Sequence, residues 1–259
     1  MENLINMIQL EWLKAYRSRI PLWTTIGAIF LPSAVALMII ISRNPEVSRK
    51  LGVISAKADL IAFSATDWSA YLILTAQILA AAGFFMFVVI LAWIFGREFA
   101  DGTLKDLLAV PVPRTIILLA KFLVFISWSF IMTLVILIVS LLTGAIIGLP
   151  GGSNGIIWQG SLIVLATAGM VMLVVIPFAL LASVGRGYLL PLSMGVLTLI
   201  LANVAAALGR GDVFPWSIPG LYSQNTGMTT SISYIIVLIT GLLGWYFTNM
   251  WWSKSDQNR

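Results

Sequence analysis

The chain has 259 residues, 60% of them apolar and 10% charged, with a mean hydropathy of +1.01, a net charge of +5 and neither Cys nor His. Soluble domains carry about 25% charged residues, so this composition cannot cover a globule in water and places the chain in a bilayer. Without Cys or His there are no disulfides, thiol nucleophiles, His-based zinc sites or imidazole acid/base chemistry. The length suits six spanning helices of about 20 residues each, with short loops and no catalytic domain.

In chain order, Met1 to Arg19 carries Leu4, Ile8 and Trp12 on one helical face, with Glu11, Lys14 and Arg17 elsewhere. This predicts a helix lying in the membrane interface. Six apolar runs follow, at 20–41, 68–95, 122–148, 160–183, 188–208 and 232–252. Each is long enough to cross as a helix, the only open structure that satisfies its own backbone in hydrocarbon. The first run is too long for a signal-peptide core and has no small-residue cleavage site after it, so it is expected to remain attached. Trp23, Trp68, Trp93, Trp158, Tyr188, Trp251 and Trp252 fall near predicted span ends, where amphipathic rings favour the headgroup level. The expected fold is therefore an all-α membrane protein, with residues 1–259 forming a single transmembrane domain.

Six spans put both termini on one side. That side holds Lys14, Arg17, Arg19, Arg97, Lys105, Arg114, Lys121, Arg186, Lys254 and Arg259, while the other holds Arg43, Arg49, Lys50, Lys57 and Arg210. The excess predicts cytoplasmic termini. The first outer loop, 42–67, counts against this with four of those basic residues, offset by Glu46, Asp59 and Asp67. No predicted run holds a charge in its interior, which disfavours ion-coupled transport. Gln77, Asn203 and Asn249 are the conspicuous amides, read first as interhelical or interfacial hydrogen-bonding groups and second as substrate contacts. Ala76 with Ala80, and Ala202 with Ala206, suit close helix packing. No phosphate-binding loop of the G-x-x-x-x-G-K-[ST] type is present, so any energy from ATP must come from another subunit.

The connection between the second and third runs is the informative one. It reads GREFADGTLKDLLAVPVPR from Gly96 to Arg114 and leads to Lys121. Asp101 or Thr103 can cap a short helix in which Leu104, Leu107 and Leu108 form an apolar stripe and Pro111 and Pro113 end the helix. Arg97, Glu98, Asp101, Lys105 and Asp106 would then face the cytosol or a protein, with the stripe fixing the helix to the membrane face. Arg114 and Lys121 would meet lipid phosphates or a partner.

The pattern E-x-x-x-G-T-L, then L-L, then P-x-x-R and a later K resembles the cytoplasmic segment of type-2 ABC exporter permeases. The similarity is to the small six-span kind of bacterial antibiotic-peptide and sodium export or immunity systems. Glu98, Gly102, Thr103, Pro113, Arg114 and Lys121 carry the match, and Phe214-Pro215-Trp216-Ser217-Ile218-Pro219 is similar to the family's outer turn. The resemblance implies that 97–114 is a coupling helix docking into a cytosolic ABC ATPase subunit, with Glu98, Asp101, Gly102, Thr103, Leu104, Pro113, Arg114 and Lys121 as coupling residues. It further implies a second permease copy, as a homo- or heterodimer, in the bacterial plasma membrane, and an N-terminal connecting helix. Catalytic residues, a metal, a cofactor and a nucleic-acid partner are not expected. An apolar path favours an amphipathic cargo such as an antimicrobial peptide. The competing readings are a non-transporting scaffold or sensor partner, which needs no ATPase, and an intramembrane enzyme, for which the acids lie in the wrong place.

Overall fold

The computed structural model describes residues 2–43 and 67–254. The outer-loop residues Glu46, Arg49, Lys50, Lys57 and Asp59, and the terminal Arg259, lie outside them. Among the described residues the chain is helical with no strand, and six helical stretches are long and apolar enough to cross a membrane. The all-α, six-span membrane fold expected from the sequence is the one observed.

Helix α1 (Glu2–Tyr16) leads through a tight bend into the first span, α2 (Ile20–Arg43). The second span joins α3 (Trp68–Ile78) to α4 (Phe84–Ala100) through a single π turn at Leu79–Gly83. Asp67 starts this span, its carboxylate accepting the Ala70 N–H at 2.8 Å, as an N-cap acid should. A short helix α5 (Leu104–Ala109) precedes the third span, α6 (Arg114–Ile147). The fourth span is α7 (Asn154–Val175) with α8 (Phe178–Val184), and the fifth is α9 (Leu189–Ala207). Helix α10 (Ile218–Ser223) lies on the side opposite the termini and leads to the sixth span, α11 (Ser231–Lys254).

Three boundaries differ from the sequence reading by five residues or more, and one of them is the start of the fourth span, at Asn154 rather than Gly160. The second span runs past Phe95 to Ala100, and the third begins at Arg114 rather than Phe122. Lys121 therefore lies inside a spanning helix, and the expectation of charge-free span interiors is corrected there. The cause is pairing: Glu98 and Lys121 neutralise each other, so each helix continues through a charge that hydropathy alone reads as its end.

The second span is the centre of the molecule, with 67% of its most apolar stretch buried against 22% for α9. Phe87, Val88, Ile90, Leu91, Ile94 and Phe95 of α4 are all within the core. Around it α2 and α1 pack on α6, α3 packs on α7, and α8 and α9 pack on α4. Pro177 breaks the fourth span because it has no N–H to continue the ladder. The break is filled by α11, where a Cβ on Gly244 would sit 2.6 Å from the Pro177 nitrogen. Only a glycine lets the two backbones approach this closely.

Candidate functional site

The cytoplasm-proximal end of the bundle, as the sequence orients it, gathers four charges from three helices. Lys121 of α6 is fully buried, and its ammonium donates to Glu98 Oε1 at 2.8 Å, the Ile94 carbonyl at 2.9 Å and Glu11 Oε2 at 3.2 Å. These three bonds use every proton an ammonium has. Lys14, partly exposed, closes the group by donating to Glu11 Oε1 at 2.8 Å and Glu98 Oε1 at 3.1 Å. Two carboxylates and two ammoniums thus balance in a place where an unpaired charge would be costly. The second Glu98 oxygen, Oε2, is buried without a hydrogen-bond partner among the described residues.

Arg97 builds a lid over this group. Its guanidinium donates to the Lys14 carbonyl at 3.3 Å and to Asp101 Oδ2 at 3.2 Å, and lies 5.1 Å from the centre of the Trp93 ring. Asp101 also faces the turn before α9. Burial first, and then the negative charge of Asp101, push the Tyr188 hydroxyl above its usual range, with Arg97 opposing.

From Asp101 the chain turns through Gly102, whose φ of +70° suits a residue without a Cβ. Thr103 is the N-cap residue of α5 by position, yet its side chain makes no capping bond. The Asp101 carboxylate is engaged by Arg97, so neither expected cap forms through a side chain. On α5, Leu104 and Leu107 are buried while Lys105 and Asp106 are exposed. Leu107 clusters with Met7 of α1 and with Ile117 and Ala120 of α6. Leu107 of the apolar stripe is therefore seated on two helices of the protein and not on the membrane face, a correction to the sequence reading at that residue. Pro113 caps α6, and Arg114 donates to the Trp252 carbonyl at the end of α11 at 2.8 Å. Trp252 is buried and its indole N–H donates to Ser183 Oγ at 2.9 Å, with Phe99 stacked edgewise 6.1 Å away.

Of the residues singled out in the sequence, the structure brings Glu98 and Lys121 into direct contact. It places Asp101, Gly102 and Thr103 on an exposed turn, buries Leu104, sets Pro113 at the N-cap of α6 and ties Arg114 to the base of the last span. Glu98 does not face the cytosol as expected. It is 3% exposed because it points along α4 into the gap between α1 and α6. The helical wheel of α1 sets Glu11 off the packed face, whereas it sits on the buried row Met7, Glu11, Ala15. Glu11 and Lys14 complete the site. The signal for them is an acid spaced four residues from small or apolar neighbours, on a helix too amphipathic to hide it otherwise.

At the opposite end, the π turn, α9 and α10 enclose an open cavity of about 200 Å³. Gln77, Asn203 and Gln224 line it, together with Ala80, Ala202 and Ala206. Asn203 donates to the Leu199 carbonyl of its own helix at 2.8 Å, not to another helix. Two of the amides noted in the sequence thus meet at one cavity.

A family model described as ABC-2 family transporter protein matches residues 7–204. The chain belongs to the ABC-2 transporter family. The matched residues include the whole charge group, the turn at Gly102 and α5. The chain is also 25% identical over 174 residues to the bacitracin transport permease protein BCRB of Bacillus licheniformis, covering 66% of this chain and 84% of that protein. No solved structure matches. As an ABC-2 family protein the chain is the multi-pass permease subunit of an ABC exporter and is not itself the ATPase. Membership implies an ATPase partner and a permease partner.

Proposed function

We propose that the segment from Arg97 to Arg114, seated on α1 and α6, is the contact through which a cytosolic ATPase drives this permease. The observation that carries the reading is the Glu11–Lys14–Glu98–Lys121 group. It joins α1, α4 and α6 just beneath a helix whose outward face, Lys105 and Asp106, is free to meet a partner. A push on α5 passes through Leu107 to Met7 and Ile117, and through Arg97 and Glu98 to the central span. Packed interfaces of this kind shift as rigid bodies rather than deform. Closure of two ATPase subunits on ATP would then move permease halves, formed by two copies of this chain or by one copy and a related permease. Residues 1–259 act as one permease domain in this reading. Both termini lie in the cytoplasm, supported by the excess of Lys and Arg on their side.

The cargo is an amphipathic compound such as a peptide antibiotic. Its support is the apolar character of the spans beyond the charge group, and the likeness to a permease named for bacitracin transport. The cavity at Gln77 and Asn203 offers amides that match peptide groups without holding a charge. The test is reconstitution with the ATPase. Reversing the exposed pair, Lys105→Glu with Asp106→Lys, is expected to abolish cargo-stimulated ATP hydrolysis while the permease stays folded. Unchanged stimulation would remove α5 from the coupling contact. Failure of the chain to co-purify with any ATPase would favour a scaffold instead.

A further inference from the structure

A groove of about 280 Å³ runs between the first span and the central one, open toward the surrounding bilayer. Its walls are Ile20, Trp23, Gly27 and Leu31 on α2 and Phe85 and Val89 on α4. Three observations distinguish it from an ordinary lipid-facing surface. The wall on α2 follows helical spacing, so the groove runs along the span for nearly three turns, as an extended chain would. Position 27 faces open space in the groove: a Cβ there would meet no atom within 4 Å. Its end nearest the termini lies beside Arg19, four residues before the 64%-exposed Trp23, with Arg17 on the preceding turn. Both arginines are exposed, and neither guanidinium forms an ion pair among the described residues. Elsewhere at this end of the bundle Lys14, Arg97, Arg114 and Lys121 are all engaged by protein groups.

We infer that this groove is a binding site for an anionic phospholipid. One acyl chain lies along Gly27 between α2 and α4, and the phosphate meets Arg19 and Arg17 at the interface, with Trp23 at headgroup level. The chemistry is complementary at each end. An apolar trough suits a hydrocarbon chain, and the guanidinium fork matches a phosphate oxygen pair. The inference rests on the membrane reading of the spans, and the placement of the anionic leaflet agrees with the proposed cytoplasmic termini. Because the site lies against Phe85 and Val89, one π turn away from Gln77, lipid occupancy would brace α2 against the central span.

The test uses the full-length permease in phosphatidylcholine vesicles doped with phosphatidylglycerol or phosphatidylcholine bearing a diazirine on one acyl chain. Symmetric vesicles make the result independent of orientation and of transport. Labelling by the glycerol lipid is expected to concentrate on peptides spanning 20–31 and 82–89, above the exposed face of α9. Each arginine should contribute about fivefold to the preference over phosphatidylcholine, from about 1 kcal/mol per basic residue at a membrane surface. Arg17→Ala with Arg19→Ala should erase the preference, and Arg19→Lys should keep most of it. Gly27→Leu should remove the concentrated labelling by both lipids without changing the melting temperature. Even labelling of all exposed faces, or unchanged labelling in the Gly27→Leu protein, would overturn the site. So would crosslinks from Trp23 to a second copy of the chain with no lipid label.

Discussion

Lys121 Nζ lies 2.8 Å from Glu98 Oε1, each on a different spanning helix and neither side chain more than 4% exposed. The pair is close to the short segment that joins the second and third spans. Replacing Lys121 with Met leaves Glu98 and part of Glu11 without their main cation, while Lys14 alone remains. Breaking a buried pair from one side typically costs about 3–5 kcal/mol. The Lys121→Met protein should therefore lose most of its thermal stability in detergent. The double change Lys121→Met with Glu98→Gln should recover much of the loss. Melting curves of both single changes and the pair complete the cycle, and additive losses would show that the contact is not energetically coupled.

Gly102 connects the central span to α5 in a left-handed conformation. A residue with a Cβ costs about 1–2 kcal/mol there, with Asn the mildest. The turn is exposed and a Cβ at Gly102 meets no neighbouring atom, so the cost falls on backbone geometry alone. Gly102→Val is expected to leave the fold intact and lower ATPase stimulation by cargo, with Gly102→Asn between it and the parent. Equal stimulation in all three proteins would count against a fixed turn being needed for coupling.

Arg114 reaches across to the end of the last span. Its bond to the Trp252 carbonyl, partly buried, satisfies one of the acceptors left open at a helix C-terminus and is worth about 1 kcal/mol. Arg114→Ala should raise hydrogen exchange in residues 250–254 while leaving the core of α4 protected. Exchange that rises throughout α11 would instead indicate that Arg114 holds the whole span.

Gly244 and Pro177 test the packing of the fourth span against the sixth. A methyl carbon at position 244 would lie 2.6 Å from the proline nitrogen, so even Gly244→Ala forces backbone movement. Overpacking of this sort costs about 1–3 kcal/mol. A lower melting temperature and reduced yield are expected, whereas Gly155→Ala, in open space at the start of α7, should behave as the parent.

Span number, helix type and the short helix before Pro111 were all legible from apolar periodicity and punctuation. The end of the second span and the start of the third were not, because hydropathy treats a charge as an endpoint regardless of what it will meet. Glu98 and Lys121 lie 23 residues apart, and nothing in a linear reading says that they cancel. Glu11 was hidden for a related reason. Its partner is 110 residues away, so the helical wheel of α1 showed an acid with no stated need to face inward. By contrast, Gly102 and the prolines were readable because their effect is local. The meeting of Gln77 and Asn203 depends on how α3 and α9 are set around the π turn, which is a tertiary fact.

That π turn has an effect at a distance. It adds one residue to a helix that would otherwise keep a constant phase, and one residue corresponds to a rotation of about 100°. The half of the span that bears Gln77 and the half that bears Glu98 are therefore indexed independently. Removing one alanine from Ala80 to Ala82 would swing the lower half around, carrying Glu98 away from Lys121 and toward lipid. A single uncharged residue in mid-membrane thus determines whether the ionic group at the membrane edge can assemble.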